Sequence, residues 1–357
     1  MSFVIDSPQF NKKKFSILLI DWYNKNKRDL PWRKTTDPYK IWLSEIILQQ
    51  TRISTGIPYY EKFLERYPNV ISLATATEIE ILKMWEGLGY YSRARNLLKT
   101  AKIVSLEFDG VFPTTYKKLI KLPGIGDYTA SAISSFSDNE INPVVDGNVY
   151  RFLSRLIGLD IPINTNKSLK KFKEISHSLI SKKNPSDYNQ AIMDFGSIIC
   201  KPVSPVCLSC LFNDSCFAKT HKKVNYFPVK KSMPKLKTRY FNFIVSISSL
   251  NKVIIQKRTN KDIWKNLYQF PLIESENKLS SIKMRKKADF LFPNLINDDL
   301  ILYNENGYEN KLTHQKVICF YWINKTLKNH SNSIELEKIS SYPFPKPVFD
   351  FIKSYNW

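Results

Sequence analysis

The sequence predicts two domains, a mainly helical one over residues 1–221 and a smaller α+β one over residues 240–357. Turn signals at YPNV, FPTT, LPGIGD, INPVVDGN and KNPSD separate apolar segments of helix length between residue 12 and about residue 220. The stretches YFNFIVSISS, NKVIIQKRT and KVICFYWINK are rich in β-branched and aromatic residues, which is typical of strands. A chain of 357 residues also fits two domains better than one.

A basic linker is predicted between the two domains, over residues 222–239. The stretch KTHKKVNYFPVKKSMPKLKTR contains two Pro turns and eight Lys and Arg residues, with no acid. The whole chain carries 54 basic and 32 acidic side chains, a formal net charge of +22. By count, residues 1–225 hold 32 basic and 21 acidic side chains and residues 226–357 hold 22 and 11. This balance favours a polyanionic partner that touches both parts, although a biased Lys- and Asn-rich composition would give the same charge.

The composition excludes two other classes of protein. A hydrophobic fraction of 43% with 13% aromatic residues supports folded cores and argues against disorder. No apolar run is long enough for a membrane span. The N-terminal MSFVIDSPQFNKKKFSILLI lacks the pattern of a signal peptide and is interpreted as a short tail leading into a helix. We therefore expect a cytoplasmic protein.

The stretch WLSEIILQQT, residues 42–51, places an acid among apolar residues. Glu45 is flanked by Trp42, Leu43, Ile46 and Ile47. Leaving an ionised carboxylate in an apolar site is costly unless a partner or a shifted pKa offsets the cost. Glu45 is therefore either on the polar edge of a helix or a carboxyl group whose raised pKa lets it donate a proton.

Four of the five cysteines lie in CKPVSPVCLSCLFNDSC, with the spacing C-x6-C-x2-C-x5-C. Such clustering in an intracellular chain indicates a shared metal centre more readily than disulfides. Ligand type alone leaves zinc and an iron–sulfur cluster equally open. The ligands would be Cys200, Cys207, Cys210 and Cys216, whereas Cys319 in a predicted strand is expected to be a small core residue.

Two further motifs precede predicted helices. Gly124 and Gly126 in KLPGIGDYTASAI separate two helical segments, so their backbone could bind a phosphate, and an ordinary tight turn fits equally well. Asp146 in PVVDGNVYRFLSRL stands where an N-cap residue is expected. An N-cap and a catalytic role can coexist in one residue.

These motifs together resemble the endonuclease III superfamily of helix–hairpin–helix DNA glycosylases, and within it the MutY family of adenine DNA glycosylases. The resemblance runs from about Asp29 to Cys216 through DLPWR, WLSEIILQQTR, MWEGLGYYSRARNL, LPGIGDYTASAI, VVDGNVYRFLSR and NQAIMDFGSIIC, in that order. It implies a [4Fe–4S] cluster on the four cysteines. It also implies double-stranded DNA as the partner, with adenine opposite 8-oxoguanine or guanine as the target, and a monomeric enzyme.

The resemblance assigns catalytic roles to four residues. Glu45 would protonate the extruded adenine and afterwards help to activate water, and Asp146 would stabilise the positive charge left on the sugar. Tyr128 and Asn148 would orient the site by hydrogen bonds. Bifunctional relatives carry a Schiff-base lysine where this chain has Tyr128, so the sequence predicts base removal without lyase chemistry. Borohydride trapping would favour the bifunctional alternative, and a redox-sensing DNA binder without catalysis would not need the Glu45 and Asp146 pair.

The resemblance also assigns contacts to the DNA and the lesion. Gln50, beside Thr51, would fill the space left by the adenine, and Leu88 and Tyr90 in GLGYY would wedge beside the damaged base. For Leu88 and Tyr90, ordinary core packing is the alternative. The two hairpin glycines would hold a DNA phosphate.

The C-terminal part resembles a Nudix-like domain through VIIQKRTNKDIWKNLYQFPLIE. The REx2Ex2G-like helix that binds Mg²⁺ in Nudix pyrophosphatases is absent, since its neighbourhood reads NKLSSIKMRKKADF. A recognition role is therefore expected. Where the family often has a Phe-Ser-His loop, this chain has Leu312, Thr313 and His314, and the Thr hydroxyl could replace that of Ser.

Overall fold

The computed structural model describes residues 11–163, 165–232, 235–293, 295, 300–326 and 333–357. The chain divides into two compact units. The first, the helical unit, comprises residues 1–75 and 96–233, and the second, the sheet unit, comprises residues 76–95 and 234–357. The short segment 76–95 therefore belongs with the C-terminal part of the chain.

The helices of the helical unit follow the turn signals of the sequence. Their bounds are α1 (Lys12–Asn26), α2 (Pro38–Leu48), α3 (Ile53–Arg66), α4 (Val70–Ala74), α6 (Ser92–Glu107), α7 (Tyr116–Leu119), α8 (Asp127–Asp138), α9 (Gly147–Ile157), α10 (Asn166–Leu179), α11 (Pro185–Ile198) and α12 (Phe217–Thr220), with a 3₁₀ turn at Pro31–Arg33. The boundary between the units at residues 95 and 96 lies inside α6. The prediction of a helical N-terminal part is confirmed.

Helix α9 is the centre of the main core of this unit. Its apolar side packs with α1, α10 and α11 around Phe15, Phe152, Phe172 and Phe195, all of them at most 3% exposed. Each buried side chain of this size contributes roughly 2–3 kcal/mol of transfer free energy. The helix ends at Gly158, whose φ of 71° favours glycine. This packing fixes the N-terminus of α9, which begins directly after Asp146.

The sheet unit is a mixed sheet with helices. Its strands are β1 (Lys237–Ser248), β2 (Lys252–Ile254), β3 (Gln256–Lys257), β4 (Tyr268–Gln269), β5 (Leu272–Ser275), β6 (Ile301–Leu302), β7 (Tyr308–Lys311), β8 (Gln315–Thr326) and β9 (Ser333–Glu335). Its helices are α5 (Glu78–Met84), α13 (Ser281–Leu291) and α14 (Lys346–Ser354), with a 3₁₀ turn at Leu336–Ser341. The predicted strands and the α+β class of this part are confirmed.

The centre of the sheet is a long parallel pair. Strand β1 runs alongside β8 from the pair Lys237 and Gln315 to the pair Ser248 and Thr326. The remaining pairings are antiparallel, in the order β6-β8-β1-β2-β9, with β5 on β1 and β7 on β8, and β3 pairs only with β4 among the described residues. Cys319 in β8 is fully buried, so its prediction as a core residue is confirmed.

The predicted linker is partly folded onto the helical unit. Phe227 is buried, and the carbonyls of Val224 and Phe227 accept hydrogen bonds from the Arg155 guanidinium at 3.0 and 3.2 Å. Residues 233 and 234 of the predicted linker and the predicted N-terminal tail, residues 1–10, lie outside the described residues. Among the described helices, none has the length and apolar character needed to cross a bilayer.

Candidate active site

Helix α2 carries Glu45 into a cleft of the helical unit. The helix begins at Pro38 with Asp37 as its N-cap, which accepts a hydrogen bond from the Tyr39 N–H at 2.9 Å. All four apolar neighbours named in the sequence analysis are at most 2% exposed, and Glu45 itself is 8% exposed. The cleft has a volume of about 590 Å³. Its lining includes Arg33, Glu45, Gln49, Gln50, Thr51, Tyr128, Asp146, Asn148 and Met193.

Glu45 is poised to hold a proton near neutral pH. The pKa of its carboxyl group is raised to about 7, mainly by burial and in part by the nearby charge of Asp146. A hydrogen bond with Tyr128 and the charge of Arg33 act in the opposite direction, but they are weaker than burial. The expectation of a raised pKa is therefore borne out by the environment of Glu45.

Asp146 lies in the same cleft, where its carboxylate accepts three hydrogen bonds. As the N-cap of α9, it accepts hydrogen bonds from the N–H groups of Asn148 and Val149 at 2.9 and 2.8 Å, which confirms the predicted cap. The Asn148 side-chain amide donates a third bond at 2.7 Å. Burial raises the pKa of Asp146, although these bonds and the charge of Arg151 act in the opposite direction. The hydrogen bonds therefore favour the ionised carboxylate in a place where burial opposes it.

Arg33 is held beside Glu45 by a buried ion pair. Its guanidinium donates two bonds to the Asp194 carboxylate, at 2.7 and 2.9 Å, and Arg28 donates to the same carboxylate. Asp194 in α11 is fully buried. Burial disfavours its charge, but the bonds from the two arginines outweigh burial and lower its pKa. The pair thus places a fixed positive charge on one wall of the cleft.

A second chain of hydrogen bonds leads from Asp146 to the cysteine segment. Arg151 donates to the Asn148 side-chain oxygen at 2.8 Å, to the Gly196 carbonyl at 2.6 Å and to the Cys200 carbonyl at 2.7 Å. A Cβ at Gly196 would lie 2.8 Å from the Asn148 carbonyl oxygen, so only glycine allows this approach of α11 to α9. The orientation of Asn148 thus depends on the fold around Cys200.

The four clustered cysteines line one mostly apolar cavity. Burial raises the pKa values of Cys200, Cys210 and Cys216, that of Cys210 to about 11. Arg155 donates to the Cys200 sulfur at 3.4 Å. Among the described residues, no three His, Cys, Asp or Glu side chains converge on a point where a single metal ion could bind. Four thiols around a shared cavity are residues that could hold a metal centre.

The hairpin glycines lie between α7 and α8. Gly124 has φ 77°, and a Cβ there would lie 2.7 Å from the Asn96 side chain. A Cβ at Gly126 would meet nothing within 4 Å among the described residues, so the backbone is open on that side. Gly126 is the N-cap of α8 and has no side-chain cap bond within the described chain. The amide groups of this helix start are therefore available to an anion.

The other residues predicted to contact the DNA or the damaged base are divided between the helical unit and the sheet unit. Gln50 is exposed and has φ 57° at the end of α2, and both it and Thr51 line the cleft. Leu88 and Tyr90 belong to the sheet unit, where Leu88 is 8% exposed and Tyr90 is 48% exposed. Thr313 and His314 are exposed in the turn between β7 and β8 of that unit.

The cleft thus brings together the four residues assigned to catalysis, which come from α2, α8 and the start of α9. Sequence reasoning gave no role to Arg33, Arg151 or Asp194. The only signal that could have found them is their position inside the quoted motifs DLPWR, VVDGNVYRFLSR and NQAIMDFGSIIC.

A hairpin between two helices beside a cleft with two unlike carboxyl groups fits a DNA N-glycosylase, and the comparisons with known proteins show this class. Residues 43–177 match the family described as HhH-GPD superfamily base excision DNA repair protein. The chain belongs to the adenine DNA glycosylases. It is 38% identical over 351 residues to the adenine DNA glycosylase of Buchnera aphidicola subsp. Schizaphis graminum, across 96% of this chain and 99% of that relative. The protein is accordingly a hydrolytic glycosylase of base excision repair, and the non-catalytic alternative is excluded.

Solved structures resemble the helical part. A thermostable thymine-DNA glycosylase is 29% identical with a TM-score of 0.54, over 59% of this chain and 97% of that one. A non-covalent endonuclease III–DNA complex is 21% identical with a TM-score of 0.50, over 59% and 98%. The second likeness concerns the fold alone.

Proposed function

We propose that the protein is a monofunctional, monomeric enzyme that removes adenine paired with 8-oxoguanine, or with guanine, from double-stranded DNA. The main support is the pairing of a proton-bearing Glu45 with a hydrogen-bonded Asp146 in one cleft of the helical unit. The chain's net charge of +22 suits a DNA partner.

Glu45 is the general acid in this mechanism. Adenine must leave the duplex to reach the cleft, because its glycosidic bond is inaccessible inside the base stack. The base is a poor leaving group as an anion, so Glu45 transfers its proton to a ring nitrogen as the bond to the sugar breaks. The resulting Glu45 carboxylate can then accept a proton from the water that attacks the sugar.

Asp146 stabilises the sugar as positive charge develops on it. Its three hydrogen bonds favour the ionised carboxylate and fix its direction while the glycosidic bond breaks. Tyr128, which contacts the Met193 sulfur through its hydroxyl at 3.4 Å, closes the other side of the cleft. Asn148 orients Asp146 through its side-chain amide.

No Schiff-base step is proposed. The described lining of the cleft contains two arginines and no lysine, and Tyr128 occupies the position of the lyase lysine. Borohydride should therefore trap no covalent complex between enzyme and DNA.

A panel of duplexes tests the proposed substrate. We expect adenine release opposite 8-oxoguanine to be fastest, release opposite guanine slower, and release opposite thymine absent, as measured by strand cleavage after alkali in single turnovers. Equal rates for all three duplexes would disprove the proposed target.

The acid role of Glu45 predicts a pH dependence. Only the protonated form can donate, so the rate should fall as pH rises through the pKa of about 7, approaching tenfold per pH unit above it. Because Tyr128 lowers this pKa, Tyr128→Phe should move the fall to higher pH. Single-turnover rates between about pH 5 and 9 measure both. A Tyr128→Phe profile that moves to lower pH would contradict the assignment.

The cysteine cavity is proposed to hold a [4Fe–4S] cluster through Cys200, Cys207, Cys210 and Cys216. When bound, the cluster offsets the burial of four thiolates and ties residues 200–216 together, and no catalytic step passes through it. Arg155 would stabilise the thiolate of Cys200.

Replacing one ligand should remove the cluster. We expect Cys200→Ser to lose the brown colour and most of the bound iron, and Cys319→Ala, at a fully buried cysteine of the sheet unit, to keep both. Iron analysis and visible absorption measure the result. Zinc in a colourless wild-type protein would overturn the cluster proposal.

DNA contacts are proposed for both units. In the helical unit, the backbone at Gly124 and Gly126 would bind a phosphate, and Gln50 with Thr51 would occupy the gap left by the adenine. In the sheet unit, Leu88 and Tyr90 would wedge beside the opposite base. Leu88 is buried, so its wedge role requires it to emerge from its present packing.

The Nudix-like sheet unit is proposed to read the opposite base through Thr313 and His314. Both side chains are exposed in a tight turn, which the Leu312 N–H closes on the Gln315 carbonyl at 2.8 Å. The variant Thr313→Ala with His314→Ala should lose the preference for 8-oxoguanine over guanine and retain adenine release opposite guanine. An unchanged ratio of single-turnover rates would remove this turn from the reading role.

A further inference from the structure

The turn that carries Leu88 and Tyr90 places one non-glycine residue, Tyr90, in the left-handed region of the backbone. Gly87, Gly89 and Tyr90 have φ values of 97°, 69° and 47°, and such positive values are unusual for a residue like tyrosine. Side chains hold the turn in place. The Trp85 indole N–H donates to the Gly89 carbonyl at 3.0 Å, and Arg93 donates to the Leu88 carbonyl at 3.2 Å.

The main chain of Phe344 forms hydrogen bonds with residues before and after this turn, Glu86 and Tyr91. Phe344 lies far along the sequence, in YPFPKP before α14, but within the same sheet unit. Its N–H donates to the Glu86 carboxylate at 3.0 Å, and its carbonyl accepts from the Tyr91 hydroxyl at 3.0 Å. Lys83 also donates to Glu86, at 2.6 Å. Phe344 is 1% exposed, so these bonds are sheltered from water.

The tip of the turn reaches the proposed reading turn. The hydroxyl oxygens of Tyr90 and Thr313 lie 3.2 Å apart, and the Arg93 guanidinium lies 5.6 Å from the centre of the Tyr90 ring. The wedge candidate and the reading candidate are therefore in direct contact, although 223 positions separate them in the sequence.

We propose that Glu86 and Tyr91 are positioning residues: their hydrogen bonds to the main chain of Phe344 hold Tyr90 against Thr313. These two hydrogen bonds thereby set the preference of the enzyme for 8-oxoguanine over guanine as the opposite base. The inference rests on the proposed reading of 8-oxoguanine by the sheet unit. Tyr90 is the one residue of the three that is not glycine, and a residue with a side chain keeps a positive φ only where its surroundings hold it, so two sheltered hydrogen bonds help to present Tyr90 in this conformation.

Removing the Tyr91 hydroxyl group tests the role of its hydrogen bond to the Phe344 carbonyl. In Tyr91→Phe, the ratio of single-turnover rates opposite 8-oxoguanine and opposite guanine should fall by roughly threefold to tenfold, the size of one hydrogen bond. The rate opposite guanine and the Tm should stay close to wild type. Tyr355→Phe, the same change on a ring that packs on Phe351, should leave the ratio unchanged. An unchanged ratio in Tyr91→Phe, or equal loss against both duplexes, overturns the inference.

Two substitutions of Glu86 and one double variant test whether these hydrogen bonds act through the contact between Tyr90 and Thr313. Glu86→Ala should lower the ratio, and Glu86→Gln, which keeps an acceptor for the Phe344 N–H, should restore most of it. Tyr91→Phe combined with Thr313→Ala should match Thr313→Ala alone, because Tyr91 acts through the same contact. Independent, multiplying losses would contradict the inference. A wild-type enzyme without preference for 8-oxoguanine would instead refute the proposed function.

Discussion

Glu45→Gln should abolish adenine release while leaving DNA binding intact. Glutamine matches glutamate in shape but has no transferable proton at neutral pH, so the loss measures the acid role alone. General acid catalysis accounts for about 10²–10⁴ in rate, and we expect a loss in the upper part of this range, since Glu45 has a pKa of about 7 and lines the cleft. Single-turnover kinetics and a binding titration measure the two quantities.

The matched control is Glu65→Gln, the same chemical change at an exposed residue of α3. It should retain the wild-type rate. A Glu45→Gln enzyme that releases adenine at the wild-type rate would refute the acid assignment, and with it the mechanism proposed above.

The variant Glu45→Gln should become more stable relative to the wild-type protein as pH rises. The pKa of Glu45 is about 7 in the folded chain against an ordinary value of 4.5, so the folded state binds the proton more tightly than the unfolded state. The corresponding stability is present at low pH and is lost as pH rises through about 7, by up to roughly 3 kcal/mol in the free energy of unfolding. Glutamine does not ionise and escapes this loss. Denaturant unfolding at about pH 5 and pH 8 measures the difference.

Asp146→Asn should lower the rate of adenine release by about 10²–10³, the usual cost of removing one preorganised electrostatic group. Asparagine is an equally good N-cap, so its oxygen can keep accepting from the N–H groups of Asn148 and Val149. The variant therefore removes the negative charge with little change in the start of α9. Single-turnover rates together with the Tm separate chemistry from folding.

Helix α2 offers a control of the same kind. Asp37 is the N-cap of that helix, and Asp37→Asn repeats the substitution at a cap that does not line the described cleft. It should leave the rate unchanged. Equal rates for Asp146→Asn and wild type would mean that Asp146 is only a cap.

The separate chemical groups of the cleft could be predicted from the sequence because their signals are local. Glu45 stands out among four apolar neighbours, and Asp146 precedes a helix whose apolar residues recur with helical period. Helix caps, apolar periodicity and cysteine spacing each involve only a few neighbouring residues. They can therefore be recognised in the sequence without knowledge of the fold. The same holds for β1 and β8, whose β-branched and aromatic runs predicted strands.

Interactions between residues that lie far apart in the sequence could not be predicted, because they depend on how the helices and strands pack. Arg33 and Asp194 are 161 positions apart, and only the approach of α11 to the 3₁₀ turn at Pro31–Arg33 makes them a buried ion pair. Segment 76–95 was predicted as part of the helical domain, yet it packs in the sheet unit, where Glu86 and Tyr91 form hydrogen bonds with the main chain of Phe344.

The sequence by itself therefore determined which chemical groups the protein has: an acid in an apolar helix, a capped carboxylate, four clustered thiols and a positive charge. The tertiary structure alone decided which of them share a cleft and how their surroundings shift the pKa of each carboxyl group. The physical reason is that desolvation and hydrogen bonding depend on all the atoms around a group, most of which are contributed by residues distant along the chain.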